Sequence, residues 1–455
     1  MGPPRCFSVA GLLAGLLVTV SACSGDGSPV ATRSKTSSVG ATGASSSSSS
    51  SGPGSRIVQP RVPHGVRVAP SSARVDTRVP VFSHPTEVTN PLFPVSRQAS
   101  VVFVGHVDGQ PFRTEVTLLP TTRIIDWGGQ RIETLVSQYT AYLDGRLQEV
   151  AYDLYAQADD GSVWYFGEDV ADLAHGDITS KEGTWLAGKD GPAQMIMPGP
   201  PHVGDVFRTE NIPGVAFEQV TVKSVNERLE GPLGPVVGMV GEELHEDGTT
   251  EDKQFAPGYG EFFTRDGPDV EALALAVPTD ASPNAEPAGL RRMFAVAEGV
   301  LRSRRTSGAA DSLARSWASV PRSEVPRLMG PVVARAIRNV RSAADPGSER
   351  RAAMDLALRV LDLRLRYRDP VDVNRARVGL WCDLLIADAR AGRGEDVNGD
   401  VFTLFYLRDR VQHALPRAAA TAYNHWLGVL QVSAPEGDLP RARRAAERLR
   451  DAVAR

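Results

Sequence analysis

The residues best suited to chemistry form an acidic and aromatic cluster near the middle of the chain. Five carboxylates surround the run Trp164-Tyr165-Phe166, namely Asp159, Asp160, Glu168, Asp169 and Asp172. Carboxylate oxygens brought together near tight turns are the ligands that a hard cation such as calcium prefers. The cluster therefore predicts a candidate metal site, and the plainer interpretation is a solvated hairpin end with aromatic side chains in the core below it.

Nucleophilic catalysis has no specific sign in this sequence. The chain contains no Gly-x-Ser-x-Gly motif, and His106, His175, His202 and His245 are scattered over one region beside acidic residues. Cys382 lies in an apolar helical pattern, which is typical of a buried and unreactive thiol. We therefore expect a protein that is not an enzyme and needs no cofactor, and an envelope hydrolase stays open as an alternative.

A second acidic motif, Asp396-Val397-Asn398-Gly399-Asp400, begins like a calcium-binding loop. The full loop requires glycine at its sixth position and glutamate at its twelfth, where this chain has Val401 and Leu407. We expect an ordinary turn here, with Asp400 capping the helix that follows.

The amino terminus has the pattern of an export signal. One arginine, Arg5, precedes an uncharged run from Cys6 to Val20, which is too short to span a membrane comfortably. The run ends in Val20-Ser21-Ala22-Cys23, which resembles the lipobox of bacterial lipoproteins. The resemblance implies that residues 1–22 are removed and that the thiol of Cys23 carries a diacylglyceryl anchor on the extracytoplasmic side of the cell membrane.

Residues 23–84 have the composition of a disordered tether. Ser45 to Ser51 is an unbroken serine run, set among Gly, Thr, Pro and Ala. Such a segment buries too little apolar area to offset the loss of chain entropy. About 60 residues of this kind have a root-mean-square reach of roughly 40 Å, so the tether would hold the folded part near the membrane.

Residues 85–287 predict an antiparallel β-meander, as a curved sheet or an open barrel. Four Asp-Gly pairs separate β-rich runs, and each pair supplies the positive φ values that tight hairpins need, at Asp108-Gly109, Asp144-Gly145, Asp160-Gly161 and Asp247-Gly248. Within one run, Val150 and Tyr152 alternate with Glu149 and Asp153. The alternation predicts one covered face and one wet face.

Residues 288–455 predict an all-α helical bundle, so the complete chain is expected to be an α+β multidomain protein. Apolar residues recur three and four positions apart, as in Leu356, Val360 and Leu363. Asp369-Pro370 predicts a helix start, with aspartate as the cap and proline in the first turn.

Charge differs strongly between these regions. Residues 84–287 carry a net charge of -21, and residues 288–455 carry +11 with 30 arginines and no lysine. An export signal argues against nucleic acid as the partner of the basic region. Docking of the basic helices on the acidic sheet is the simplest account of the two charges.

Residues 85–280 contain several motifs rich in Gly, Pro and aromatic residues, which include Asn90-Pro91-Leu92-Phe93-Pro94, Asp160-Gly161-Ser162-Val163-Trp164-Tyr165-Phe166-Gly167-Glu168 and Ala256-Pro257-Gly258-Tyr259-Gly260. These motifs resemble those of a family of uncharacterised secreted actinobacterial lipoproteins. The resemblance implies a β-rich domain and no established activity. We expect an envelope lipoprotein that binds a lipid or protein ligand, and a calcium-binding lipoprotein is the first alternative.

Overall fold

The computed structural model describes residues 52–62, 65–266, 268–302 and 308–454. In these residues, one antiparallel sheet of 14 strands is followed by eight α-helices. The predicted α+β architecture, a β-meander and then a helical region, is confirmed. Cys23 and the serine run lie outside the described residues, so the lipid anchor stays a prediction.

The sheet is open and consists of two meanders joined by the first and last strands. The strand order is β6-β5-β4-β3-β2-β1-β14-β13-β12-β11-β10-β9, with β7 and β8 also paired to β5. The strands are β1 Ser100–Val107, β2 Gln110–Trp127, β3 Gln130–Leu143, β4 Arg146–Gln157, β5 Val163–Ala174, β6 Asp177–Ser180, β7 Trp185–Leu186, β8 Gln194–Met197, β9 Val206–Ile212, β10 Ala216–Gly231, β11 Gly234–His245, β12 Thr250–Ala256, β13 Gly260–Asp266 and β14 Asp269–Val277.

All four Asp-Gly pairs lie in turns between consecutive strands, as predicted. Asp108 and Gly109 have φ values of 50° and 72°, and Asp144 and Gly145 have 46° and 76°. Positive φ at both central residues is the geometry of the tight hairpin turn whose twist matches that of the flanking strands.

The helices are α1 Ala288–Arg302, α2 Ala309–Ala318, α3 Met329–Ser342, α4 Pro346–Arg364, α5 Pro370–Arg390, α6 Gly394–Val411, α7 Arg417–Ser433 and α8 Leu439–Val453. Asp369 caps α5 as predicted, because its side chain accepts a hydrogen bond from the backbone N–H of Val371. Among the described residues, no helix is both long and apolar enough to cross a membrane.

The predicted turn at Asn398-Gly399 is wrong. Both residues lie inside α6, and Asp400, the expected cap, is a buried residue of the same helix. The guanidinium of Arg146 on β4 lies 2.9 Å from Asp400 and 3.2 Å from Asp388. An ion pair with the sheet therefore holds Asp400 within a helix, where local sequence favoured a turn.

The helices dock on one face of the sheet, which we call the outer face. Val102 of β1, Val150 of β4 and Leu275 of β14 share one apolar cluster with Leu361 and Trp381 of the helices. The acidic sheet and the basic helices are thus in direct contact, as the opposite charges suggested.

A buried network of charges crosses this contact. Glu115 of β2 forms ion pairs with Arg113, Arg377 and Arg410, and Arg113 Nε lies 2.9 Å from Asp362 of α4. Burial alone would raise the pKa of Glu115, but the three guanidiniums lower it well below its usual value. The network joins sheet and helices at a position where an unpaired charge would be costly.

The ordered chain begins earlier than the composition indicated. Ile57 and Val79 are buried in the same apolar cluster as Phe166, and Arg74 pairs with Val206 of β9 in a parallel bridge. The prediction of a disordered tether is therefore wrong for residues 56–62 and 65–84. Ile57 and Val79 find partners in the core of the sheet, which composition alone does not reveal.

Candidate metal-binding site

The five carboxylates predicted as a candidate metal site lie in different places. Asp159 is exposed in the turn after β4 and accepts hydrogen bonds of 2.7 Å from the backbone N–H and hydroxyl of Ser83, which lower its pKa. Asp160 is exposed in the same turn. Asp169 is also exposed and lies 3.1 Å from Lys181 Nζ. These three carboxylates therefore do not converge on the position of one metal ion.

Glu168 and Asp172 are the two that are buried. On β5, Glu168 lies opposite Asp153 of β4, and Asp172 lies opposite Glu149. Two acids directly opposite each other repel when both are ionised. A natural sheet that buries two such pairs therefore requires a compensating proton or cation.

The face of β4 predicted to be wet is in fact buried. Val150 and Tyr152 point to the helices, and the Tyr152 hydroxyl donates a hydrogen bond of 2.6 Å to Asp409 of α6. Glu149 and Asp153 point the opposite way and are 0% and 2% exposed. We call this opposite side of the sheet the inner face. Alternation showed correctly that the two faces differ, but it did not show that both are covered.

Eight buried carboxyl groups define what we call the acidic interior. They come from seven strands, β4, β5, β9, β10, β11, β13 and β14, and each is less than a tenth exposed. They are Glu149, Asp153, Glu168, Glu210, Glu218, Glu243, Glu261 and Glu271. Their mutual electrostatic effects connect β4 and β5 with β9 and β14, so the two halves of the curled sheet approach each other on the inner face.

Burial raises the pKa of most of these carboxyls. It raises the pKa of Asp153 to about 7, that of Glu261 to about 7, and those of Glu210 and Glu271 to about 8. A low-dielectric environment disfavours the charged form, and nearby carboxylates add to the effect. At neutral pH, part of the acidic interior therefore holds protons.

Lys253 of β12 lies among these carboxyls and is 2% exposed. Its Nζ lies 3.1 Å from Glu243, 3.3 Å from Glu261 and 3.6 Å from Glu251. Burial alone would lower the pKa of Lys253, but the three carboxylates raise it well above its usual value. One ammonium group balances about one of the eight carboxyls, so the others require protons or a further cation.

Glu218 and Glu243 of the acidic interior form a close group with His245. One ligand atom from each lies within 4.8 Å of the others. The strand register explains this geometry, because Glu218 of β10 pairs with His245 of β11, and Glu243 lies two residues before His245 on the same face. The Thr209 hydroxyl lies 3.2 Å from Glu218 Oε2 and 3.3 Å from Glu243 Oε1.

The free atoms of this group point to a cation. Glu218 Oε1 is buried without a hydrogen-bond partner, and so is Nδ1 of His245. The other ring nitrogen of His245, Nε2, lies 3.7 Å from Glu251. A carboxylate on one side of an imidazole orients the opposite nitrogen toward a metal ion in many metal sites. Two carboxylates and one imidazole can hold a divalent cation and leave further coordination positions open.

The sequence singled out Glu168, together with the buried Asp172 beside it, but missed the other seven members of the acidic interior. His245 was considered as one of four scattered histidines, and His175 and His202 are indeed surface residues with side chains 87% and 75% exposed. A signal was present in Glu243-Leu244-His245, since residues two apart on a strand share a face. Its partner Glu218 is 25 residues away, and only the strand register brings it near.

The chain was compared with protein-family models, with curated proteins and with solved structures, and it matches none of them. The acidic interior is therefore interpreted from its own geometry.

Proposed function

We propose that this protein is a cell-envelope lipoprotein, anchored to the membrane through Cys23, whose β domain binds a divalent metal ion. The observation that carries the proposal is the group Glu218, Glu243 and His245, which has one ligand atom from each residue within 4.8 Å of the others. Glu218 Oε1 and His245 Nδ1 are in addition buried without a hydrogen-bond partner.

The type of ligand favours a transition metal over calcium. Calcium prefers six to eight oxygen ligands, whereas an imidazole nitrogen beside carboxylates suits zinc and its neighbours in the first transition row. The expected ion is therefore Zn²⁺ or a similar divalent cation, and not the calcium that the acidic turns suggested.

The acidic interior also argues against a lipid tail as the ligand on the inner face. Acyl chains bind in predominantly apolar cavities with few polar groups. An acyl tail placed against Glu149, Asp153 and Glu168 would offer these buried carboxyls no hydrogen-bond partner. A metal ion instead supplies the positive charge that the buried carboxyls lack.

Calorimetric titration of the metal-free full chain tests the proposal. Zn²⁺, Mn²⁺ and Ca²⁺ are added separately at pH 7, and we expect one saturable Zn²⁺ site that binds more tightly than calcium. Glu243→Gln and His245→Gln should each weaken Zn²⁺ binding at least tenfold, since each removes a ligand atom.

Glu242→Gln is the matched control. Glu242 is the neighbour of Glu243 on β11, but it forms an ion pair of 2.9 Å with Lys223 on the opposite side of the strand. Its replacement removes the same charge and should leave zinc affinity unchanged. Zinc binding of equal strength in the Glu243→Gln variant, or no saturable binding in the parent protein, would refute the proposed site.

A further inference from the structure

A second candidate site lies in a groove between the N-terminal segment and β9. The cavity has a volume of about 860 Å³ and is bounded by residues 56–62, by parts of residues 65–77 and by Arg208 of β9. This volume is within the range of pockets that hold small organic ligands.

Among the described residues, the charged side chains that line this groove are arginines. Arg56, Arg61, Arg74 and Arg208 contribute to the lining, and no acidic residue of the described chain does. Arg74 is balanced by Asp76, because its Nε lies 2.8 Å from Asp76 Oδ1. Arg56 has a hydroxyl partner, Ser71, at 2.6 Å. The groove therefore carries a surplus of positive charge.

Arg208 is the strongest indication of a ligand. Its side chain is 4% exposed, and its Nε is buried without a hydrogen-bond partner. Its guanidinium lies 5.3 Å from the ring centroid of Phe217, and burial together with the charge of Arg74 lowers its pKa to about 10. A buried guanidinium with an unsatisfied donor is costly unless an anion completes it.

The remaining walls of the groove are partly apolar. Ile57, Val58, Val62 and Val68 line it, and the Val58 side chain is 83% exposed. An inorganic ion would fill a small part of this volume and would not touch these side chains. The expected ligand therefore combines an anionic group with an organic part.

We propose that this arginine groove binds an organic phosphate, with the phosphate against Arg208 and Arg56 and the organic part against the valines. Arginine presents paired N–H donors whose spacing matches two oxygens of a phosphate. The phosphate can belong to a lipid headgroup or to a soluble metabolite, and both sources share the same recognition chemistry.

Calorimetric titration of the full chain with two probes tests the groove and distinguishes the sources. Dihexanoyl phosphatidylglycerol, kept below its micelle concentration, represents the lipid, and glycerol 3-phosphate represents the soluble phosphate. We expect saturable binding of at least one probe. Tighter binding of the lipid probe assigns the groove to headgroups, and tighter binding of glycerol 3-phosphate assigns it to soluble phosphates.

Arg208→Gln and Arg56→Gln should each weaken binding at least tenfold. Arg56 is exposed, so its replacement keeps the test valid if the buried Arg208→Gln variant fails to fold. Arg265→Gln is the matched control, because Arg265 is an exposed arginine on β13 that also lies over a phenylalanine ring, at 5.5 Å. Failure of both probes to bind, or equal affinity in the Arg56→Gln variant, would overturn the proposal. Neither result depends on the metal site.

Discussion

Raising the pH should destabilise the metal-free protein, because the carboxyls of the acidic interior hold protons in the folded state that they have already released in the unfolded state. Glu271 illustrates the magnitude, since burial raises its pKa from 4.5 to about 8. Between these values the unfolded chain has released this proton and the folded chain still holds it, so the free energy of unfolding falls by up to about 1.4 kcal/mol per pH unit for each such group. Stability from this carboxyl is complete below about pH 4.5 and is lost as the pH rises toward 8.

The expected loss from Glu271 alone is about 2–3 kcal/mol between pH 5.5 and pH 7.5. Glu115, whose pKa is lowered, is ionised in both states over this window and does not oppose the trend. Urea denaturation at several pH values, followed by tryptophan fluorescence with a chelator present, measures the unfolding free energy.

Glu271→Gln isolates the contribution of one carboxyl. Glutamine has the shape of the protonated acid and keeps an acceptor for the hydroxyl of Thr114, which donates a hydrogen bond to Glu271. The slope of unfolding free energy against pH should become less negative by about 1 kcal/mol per pH unit. Glu242→Gln, at an exposed ion pair, should leave the slope unchanged. A parent protein whose stability is constant or rises from pH 5.5 to pH 7.5 would refute this reasoning.

Three further predictions concern other parts of the chain. Arg410→Met should lower the unfolding free energy by about 3–5 kcal/mol in urea denaturation, because it leaves the buried Glu115 with one guanidinium partner fewer. A loss below about 1 kcal/mol would show that the buried charge network contributes little to stability. Burial raises the pKa of the Cys382 thiol well above its usual value. The thiol should therefore resist alkylation in the native protein and react after unfolding, as measured by peptide mass spectrometry. Rapid labelling of the native protein would contradict its burial. Cys23→Ala should move the protein from the membrane fraction to the soluble fraction of cells, and unchanged membrane retention would argue against the lipid anchor.

Local sequence predicted the parts of the fold that local chemistry determines. Asp-Gly pairs favour the positive φ values of tight hairpin turns, so Asp108-Gly109 and Asp144-Gly145 identified their hairpins without any tertiary information. Asp369 could be recognised as a cap because its carboxylate can accept a backbone hydrogen bond and Pro370 follows it, and both features are local. Asp400 could not be placed correctly, because its ion pair is with Arg146, which lies more than 250 residues away along the chain.

The burial of the candidate site could not be predicted from the alternation of polar and apolar residues along a strand. A period of two along β4 separates Glu149 and Asp153 from Val150 and Tyr152, and acidic side chains on one face normally indicate solvent. The curling of the sheet covers that face with the opposite half of the same sheet. This closure is a property of all the strands together, and no single strand shows it.

The central claim is that a divalent metal ion binds between Glu218, Glu243 and His245. Anomalous diffraction from crystals of the full chain soaked in Zn²⁺, recorded at the zinc absorption edge, tests it most directly. The account predicts one strong peak about 2.0–2.2 Å from a carboxylate oxygen of each glutamate and from Nδ1 of His245. A soaked crystal with no peak at this position, or with zinc bound only at surface residues, would contradict it.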